Sequence, residues 1–277
     1  MPSNVIERLA VCSWSLEPTN PRDLISKLRD AKIAQVQLAL NPLLDNAKAW
    51  GGAGDILEST GIRIVSGMFG CAGEDYSSLE SIRATGGISP DATWQQNLKN
   101  IRAASTLASE LGVKLVTFHA GFLPHAESDP KFSVMLNRLS RVAQIFAERD
   151  IHVALETGQE KATELATVLT RLNESQLGVN FDPPNMLLYG SGDPIEALQL
   201  LAQWIRQVHI KDAKKSRVAG TWGEEMAAGS GEVDWTAFFS MLKEIHFTGN
   251  FVIEREAGTQ RVADVRTAKS LVEKFAK

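Results

Sequence analysis

An α/β protein built as a single (β/α)8 barrel, a TIM barrel, is the fold this 277-residue chain predicts. Eight short apolar runs alternate with longer helical patterns from end to end, as eight parallel strands each followed by a helix require. Most runs are nearly continuous in apolar residues, which marks strands covered on both faces. No GxGxxG follows the first run and no break in composition marks a second domain. These features favour a barrel over an open doubly wound sheet, and residues 1–277 read as one domain.

The strand candidates, in order, are LAVCSW (9–14), VQLAL (36–40), IRIVSGM (62–68), KLVTFHA (114–120), IHVALET (151–157), LGVNFD (177–182), IRQVHIKD (205–212) and NFVIERE (250–256). Helix starts are marked by polar caps and first-turn prolines. Pro21 opens 21–31, Ser89-Pro90-Asp91 precedes a helix over about 91–112, and Ser128-Asp129-Pro130 precedes 130–149. Asp193-Pro194 leads into IEALQLLAQW, Asp234 into WTAFFSMLKEIH, and a last helix covers about 259–276. Two connections are long, 69–89 and 213–233. Both follow strand C-termini, the face on which barrel active sites form, so they are expected to be lids or binding loops.

Composition narrows the function classes. The chain is 44% hydrophobic and 22% charged, ordinary for a globular domain, and its net charge of −4 argues against a nucleic-acid-binding face. Cys12 and Cys71 are too few for a disulfide framework and are expected to be reduced, buried thiols. The first residues lack a signal-peptide apolar region, and no run approaches the roughly 18 apolar residues of a membrane span. A cytoplasmic protein, with no membrane or nucleic-acid partner, is the expectation.

Glu156, Asp182, His209 and Glu254 close, or nearly close, the fifth to eighth runs, with gaps of 26, 27 and 45 residues. On consecutive parallel strands these spacings bring three carboxylates and one imidazole to one face. That donor set suits a divalent ion such as Mn2+, Mg2+, Co2+ or Zn2+, and the absence of cysteine speaks against a structural zinc. Taken singly, each residue also reads as a helix cap, a loop charge or a satisfied buried group.

With these residues in ALETG, NFDPPN, HIKD and VIERE, and with GSGEVDW at 229–235, the whole chain resembles the xylose-isomerase-like TIM barrel superfamily of sugar phosphate isomerases and epimerases, related to AP endonucleases. The resemblance implies a metal-dependent isomerase or epimerase of a small sugar or sugar phosphate, working by proton transfer through an enediolate. It also implies that Glu156 and Glu254 serve both as ligands and as the acid–base pair. A metal-dependent dehydratase of a keto-sugar or cyclitol is the nearest alternative. An endonuclease and a non-catalytic sugar-binding barrel are alternatives of other classes. Homo-oligomers are expected by analogy with the group.

The resemblance also implies that His119, at the end of the fourth run, helps hold substrate. The family has a histidine three residues after the Asp182 position; here it is Asn185, which hydrogen-bonds but carries no proton at neutral pH. This leaves the endonuclease cluster incomplete. Lys211 shares a strand face with His209 and either neutralises a substrate anion or lies in solvent. Arg83, Thr85 and Gly86-Gly87 precede a helix and offer an anion site, or simply a turn. Tyr76 is placed to close over the pocket, Phe69 to form an apolar wall, and Trp14 to fill the top layer of the barrel. Gln159 and Glu160 support the site or cap the next helix. Lys214, Lys215 and Arg217 form a basic cluster in the seventh loop. His125 is expected in solvent, and His152 and His246 are expected to be structural.

Overall fold

The computed structural model describes residues 5–218 and 220–275. Strands β1 (Leu9–Cys12), β2 (Gln35–Ala39), β3 (Arg63–Met68), β4 (Leu115–Phe118), β5 (His152–Glu156), β6 (Leu177–Phe181) and β7 (Ile205–Ile210) follow in order. The small strands β8 (Asp212–Lys214) and β9 (Glu224–Met226) come next, then β10 (Asn250–Ile253). β1–β7 and β10 pair in parallel and close a barrel in which β10 lies between β7 and β1. All eight predicted strands are present, so the fold is a closed (β/α)8 barrel.

Period-two alternation explains why these runs make a barrel wall. Val11, Leu38, Val116, Phe118, Val153, Leu155, Val179, Phe181, Val208, Ile210, Phe251 and Ile253 belong to the main core, shared with the helices. The intervening positions hold Ala10, Cys12 and Val252, a small separate apolar cluster, and the buried polar residues Gln37, Thr117, Asn180 and Gln207. A polar barrel interior is tolerated because its groups satisfy one another. Gln37 Nε2 donates to Thr117 Oγ1 (2.8 Å), Gln207 Nε2 to Gln37 Oε1 and Asn180 Oδ1 (3.1 Å each), and Ser66 Oγ to Gln207 Oε1 (2.7 Å).

The helices follow their caps. Asn20 Oδ1 accepts from the N–H groups of Arg22 and Asp23 and starts Pro21–Ala31; Asp129 caps Pro130–Ala147 and Asp193 caps Pro194–Leu201. The terminal helix runs Arg261–Phe275; residue 276, with which it was expected to end, lies outside the described residues. Both long connections carry structure of their own. Residues 69–89 contain the helix Leu79–Thr85, and Arg138 ties the end of this loop down by donating to the carbonyls of Ile88 (2.9 Å) and Ser89 (2.6 Å). Residues 213–233 hold most of the β8–β9 hairpin.

Asp212 organises that second loop. Its carboxylate, 1% exposed, accepts from the backbone N–H groups of Ala213, Gly229, Gly231 and Val233 and from the indole of Trp235. A Cβ on Gly231 would lie 2.0 Å from Asp212 Oδ1, so the turn demands glycine there. GSGEVDW therefore wraps an anion supplied by the chain itself. Asp212→Ala would strand five donors and is expected to cost about 3–4 kcal/mol, read as a lowered denaturant midpoint with loss of Trp235 fluorescence protection.

Candidate metal centre and active site

Glu156 ends β5, Asp182 follows β6, His209 is the penultimate residue of β7 and Glu254 follows β10. All four are at most 3% exposed. One ligand atom from each lies within 4.8 Å of every other. His209 Nδ1 stands at the centre, 3.3 Å from Asp182 Oδ2 and 3.4 Å from a carboxylate oxygen of both Glu156 and Glu254.

The barrel interior sets the ring orientation. His209 Nε2 is 2.9 Å from Gln37 Oε1, an atom that can only accept, so Nε2 carries a proton and Nδ1 faces the carboxylates. Asn180 Nδ2 is also 3.1 Å from Nε2, but it has an acceptor in Glu156 Oε2 at 3.4 Å; the shorter contact decides the tautomer. A buried imidazole nitrogen and three carboxylate oxygens, with the imidazole anchored from behind, fit a divalent cation of the Mn2+, Mg2+, Co2+ or Zn2+ kind.

Asp182 does two jobs. Its Oδ1 accepts from Asn185 N–H (2.8 Å) and caps the short helix Pro183–Tyr189, while its Oδ2 faces His209. The sequence signal for this helix is Asp-Pro-Pro-Asn, a cap followed by first-turn prolines. The two roles separate by substitution. Asp182→Asn keeps the cap acceptor and is expected to weaken metal binding at least about 100-fold, with little change in metal-free stability. Asp182→Ala loses the cap as well, about 1 kcal/mol more by thermal unfolding of the metal-free protein.

The two glutamates differ. Glu254 has both oxygens engaged: Trp14 Nε1 donates to Oε1 (2.9 Å) and Lys211 Nζ to Oε2 (2.9 Å). Burial opposes charge on Glu254, but Lys211 and then His209 outweigh it and hold the carboxyl well below the usual range. Glu156 accepts from Asn185 Nδ2 at Oε1 (3.1 Å) and has only the long Asn180 contact at Oε2. There, burial is outweighed by His119 and His209, and the shift is downward. Burial pushes Asp182 up to about 6. Burial also disfavours charge on His209, yet Cys12, Glu254, Glu156 and Asp182 raise it well above its usual value. Burial keeps the Cys12 thiol neutral, so the carboxylates carry that effect.

Several expected residues gather here. His119 Nε2 is 3.7 Å from Glu156 Oε1, and Tyr76 meets the His119 ring edge-on at 6.3 Å. Asn185 bridges Glu156 and Lys211. Lys211 is buried, pointing into the site. Gln159 Nε2 reaches the Tyr189 hydroxyl (3.4 Å), and Tyr189 packs edge-on against Trp222 (4.7 Å) and Phe122 (6.0 Å). Glu160 is buried and pushed up to about 8 by that burial. It does not cap the next helix, which begins at Ala162 with Glu164 closing its capping box.

Other expectations are corrected. Trp14 does not merely fill the barrel top; its indole N–H holds Glu254. Phe69 is no pocket wall: it stacks on Phe118 (4.8 Å) and Phe146 (5.9 Å), between the wall and helix Pro130–Ala147. Arg83 is exposed, its guanidinium over Phe122 at 4.7 Å. Gly87 N–H is taken by Glu74 Oε1 (2.9 Å), and a Cβ on Gly87 would clash with Ala120 at 2.1 Å, so Gly86-Gly87 serves a close backbone approach and not an anion. Cys71 is half-buried, and both cysteines are free. His125 is exposed, as expected, but pairs with Glu164 (2.6 Å).

Residues 53–274 match the family described as xylose isomerase-like TIM barrel. The chain belongs to that family. A xylose isomerase domain protein from Planctomyces limnophilus superposes with a TM-score of 0.84 at 31% identity, covering 91% of each chain. An L-ribulose 3-epimerase shares the fold, with a TM-score of 0.75 at 15% identity over 97% of this chain and 94% of that one. Among curated proteins, an inosose dehydratase of Clostridium botulinum is 22% identical over 148 residues, 48% of this chain and 49% of that protein. A 3-dehydroshikimate dehydratase of Bacillus anthracis is 26% identical over 130 residues, 45% and 46% respectively. The chain spans about half the length of the curated relatives it matches. The two curated relatives are dehydratases and the ribulose neighbour is an epimerase. No helix among the described residues is long and apolar enough to cross a membrane.

Proposed function

We propose that this xylose isomerase-like barrel is a divalent-metal-dependent enzyme that removes the proton beside the carbonyl of a small polyhydroxylated ketone. The observation that carries this reading is the buried cluster of Glu156, Asp182, His209 and Glu254, with ligand atoms within 4.8 Å of one another. When bound, a divalent cation polarises a carbonyl and a neighbouring hydroxyl and so acidifies the carbon-bound proton. The remaining work falls to the chain. Glu156, less tightly held than Glu254, accepts the proton; Asn185 and His119 orient it; Tyr76, Tyr189 and Trp222 wall the pocket.

Two outcomes follow from that first step. Isomerisation or epimerisation returns the proton from a second group, the role expected of Glu254. Dehydration instead needs a donor to the departing β-hydroxyl. The clamp of Trp14 and Lys211 on Glu254 leaves that carboxylate poorly placed to return a proton and favours the second outcome, with protonated Glu156 passing the abstracted proton on to the departing hydroxyl, and the dehydratases among the relatives lean the same way. Incubation in D2O with fructose and with an inosose separates them. Deuterium at the α-carbon with recovery of a ketose or aldose supports isomerisation. Loss of water to an unsaturated ketone supports dehydration. No exchange with any ketone in the metal-loaded protein removes the proton-abstraction reading.

A further inference from the structure

We infer that Glu256 acts as a charge filter, neutralising Lys211 so that the pocket takes uncharged polyhydroxy ketones and rejects those bearing a carboxylate or phosphate. This rests on the proton-abstraction reading of the same site and adds the substrate's charge to it.

An ammonium has three N–H donors and no more. Those of Lys211, a residue 2% exposed, have three acceptors: Glu254 Oε2 at 2.9 Å, Glu256 Oε2 at 2.6 Å and Asn185 Oδ1 at 3.2 Å. No donor is left for a substrate anion. Two of the three acceptors are carboxylates, so the only ammonium beside the metal ligands among the described residues is more than balanced. Glu254, Glu256 and Asp182 all act on it, and Glu156 stands with Asp182 and Glu254 in the ligand cluster beside it. An anionic group entering here would meet repulsion and find no free partner.

Glu256 is held for this task. Its backbone N–H donates to Glu225 Oε1 (2.9 Å) on β9, and Arg255 Nη1 pairs with the same oxygen (2.7 Å) while its Nε binds Asp264 (2.8 Å). The hairpin thus clamps the segment after β10 and aims Glu256 at Lys211. The remaining cations offer no substitute. Arg83 lies exposed over Phe122. Lys214, Lys215 and Arg217 line a cavity of about 360 Å³ beside Trp222, where Glu224 and Glu232 stand among them as counter-charges. Around the pocket the groups suited to hydroxyls are uncharged: the Asn185 and Gln159 amides, the Tyr189 hydroxyl, and the Trp222 indole N–H, which is buried with no hydrogen-bond partner among the described residues. Aromatic faces beside neutral donors suit the alternating C–H and O–H surface of a polyol.

The test is calorimetric binding to the Mn2+-loaded full chain with matched probes: an inosose against 3-dehydroshikimate, and fructose against fructose 6-phosphate. The uncharged member of each pair is expected to bind at least about tenfold more tightly, and Glu256→Ala to shift both ratios about tenfold toward the anion. Glu256 is exposed, so the substitution leaves the fold intact, and Glu256→Gln, which removes the charge and keeps an acceptor, is expected to shift the ratios in the same direction. Equal or tighter binding of the anions by the wild type overturns the inference, as does binding of neither uncharged probe. Unchanged ratios in both variants remove Glu256 from the role. Deuterium exchange on the same samples keeps the two readings apart. Exchange with an anion preference contradicts only the filter; an uncharged preference without exchange contradicts only the proton abstraction.

Discussion

Glu156→Gln is expected to slow exchange of the substrate's α-proton about 1,000-fold while the barrel stays folded. Glutamine keeps an oxygen at the metal and an acceptor for Asn185, so binding of the ion weakens less than the chemistry. What it loses is a second oxygen able to take a proton. Glu254→Gln is the contrasting variant. Both Glu254 oxygens are engaged, by Trp14 and by Lys211, and the lysine holds the group ionised. Its loss should appear as poorer metal retention and a misplaced Lys211 side chain, with an exchange deficit smaller than that of Glu156→Gln once metal is saturating. Single-turnover exchange in D2O at saturating Mn2+ compares the two. Equal deficits would restore a symmetric acid–base pair.

Removal of the divalent ion by a chelator is expected to lower turnover by at least about 10,000-fold, with recovery on readdition. The protons of the ligand set give this a pH dependence whose sign can be worked out. In the metal-free protein burial raises Asp182 to about 6, and the carboxylates raise His209 above its usual value. Both groups must be deprotonated to ligate, so metal binding releases protons and affinity rises with pH. Below about pH 6, where Asp182 and His209 both hold protons, affinity should fall about tenfold per pH unit for each proton displaced. Calorimetric titrations in buffers of different ionisation enthalpy measure the release directly. Affinity that does not change between pH 5 and pH 8 would contradict the assignment of ligands.

Much of this molecule is legible in its sequence. The eight strands show because their outward faces are Val, Leu, Ile and Phe, and the four ligands show because a carboxylate or histidine at the end of an apolar run is conspicuous. The interior is far less legible. Gln37, Ser66, Thr117, Asn180 and Gln207 look like interruptions of apolar runs, and only closure of the barrel brings residues up to 170 positions apart into one network. Yet that network fixes the tautomer of His209. Trp14 is ambiguous in sequence because an aromatic at a strand end looks the same whether it fills a core or donates to Glu254 across 240 residues. Phe69 is ambiguous in the same way: it reads as a pocket wall but stacks in the core on Phe118 and Phe146. The β8–β9 hairpin leaves no mark in the sequence because its strands are three residues each and depend on Asp212 and Arg255, not on apolar periodicity.

The central claim is that Glu156, Asp182, His209 and Glu254 hold one catalytic divalent ion. Anomalous diffraction from a crystal grown with Mn2+ tests it most directly. The expected result is a single strong peak about 2.0–2.4 Å from His209 Nδ1 and from one carboxylate oxygen of each acid. No peak at saturating Mn2+, or a peak that leaves out His209, would contradict it.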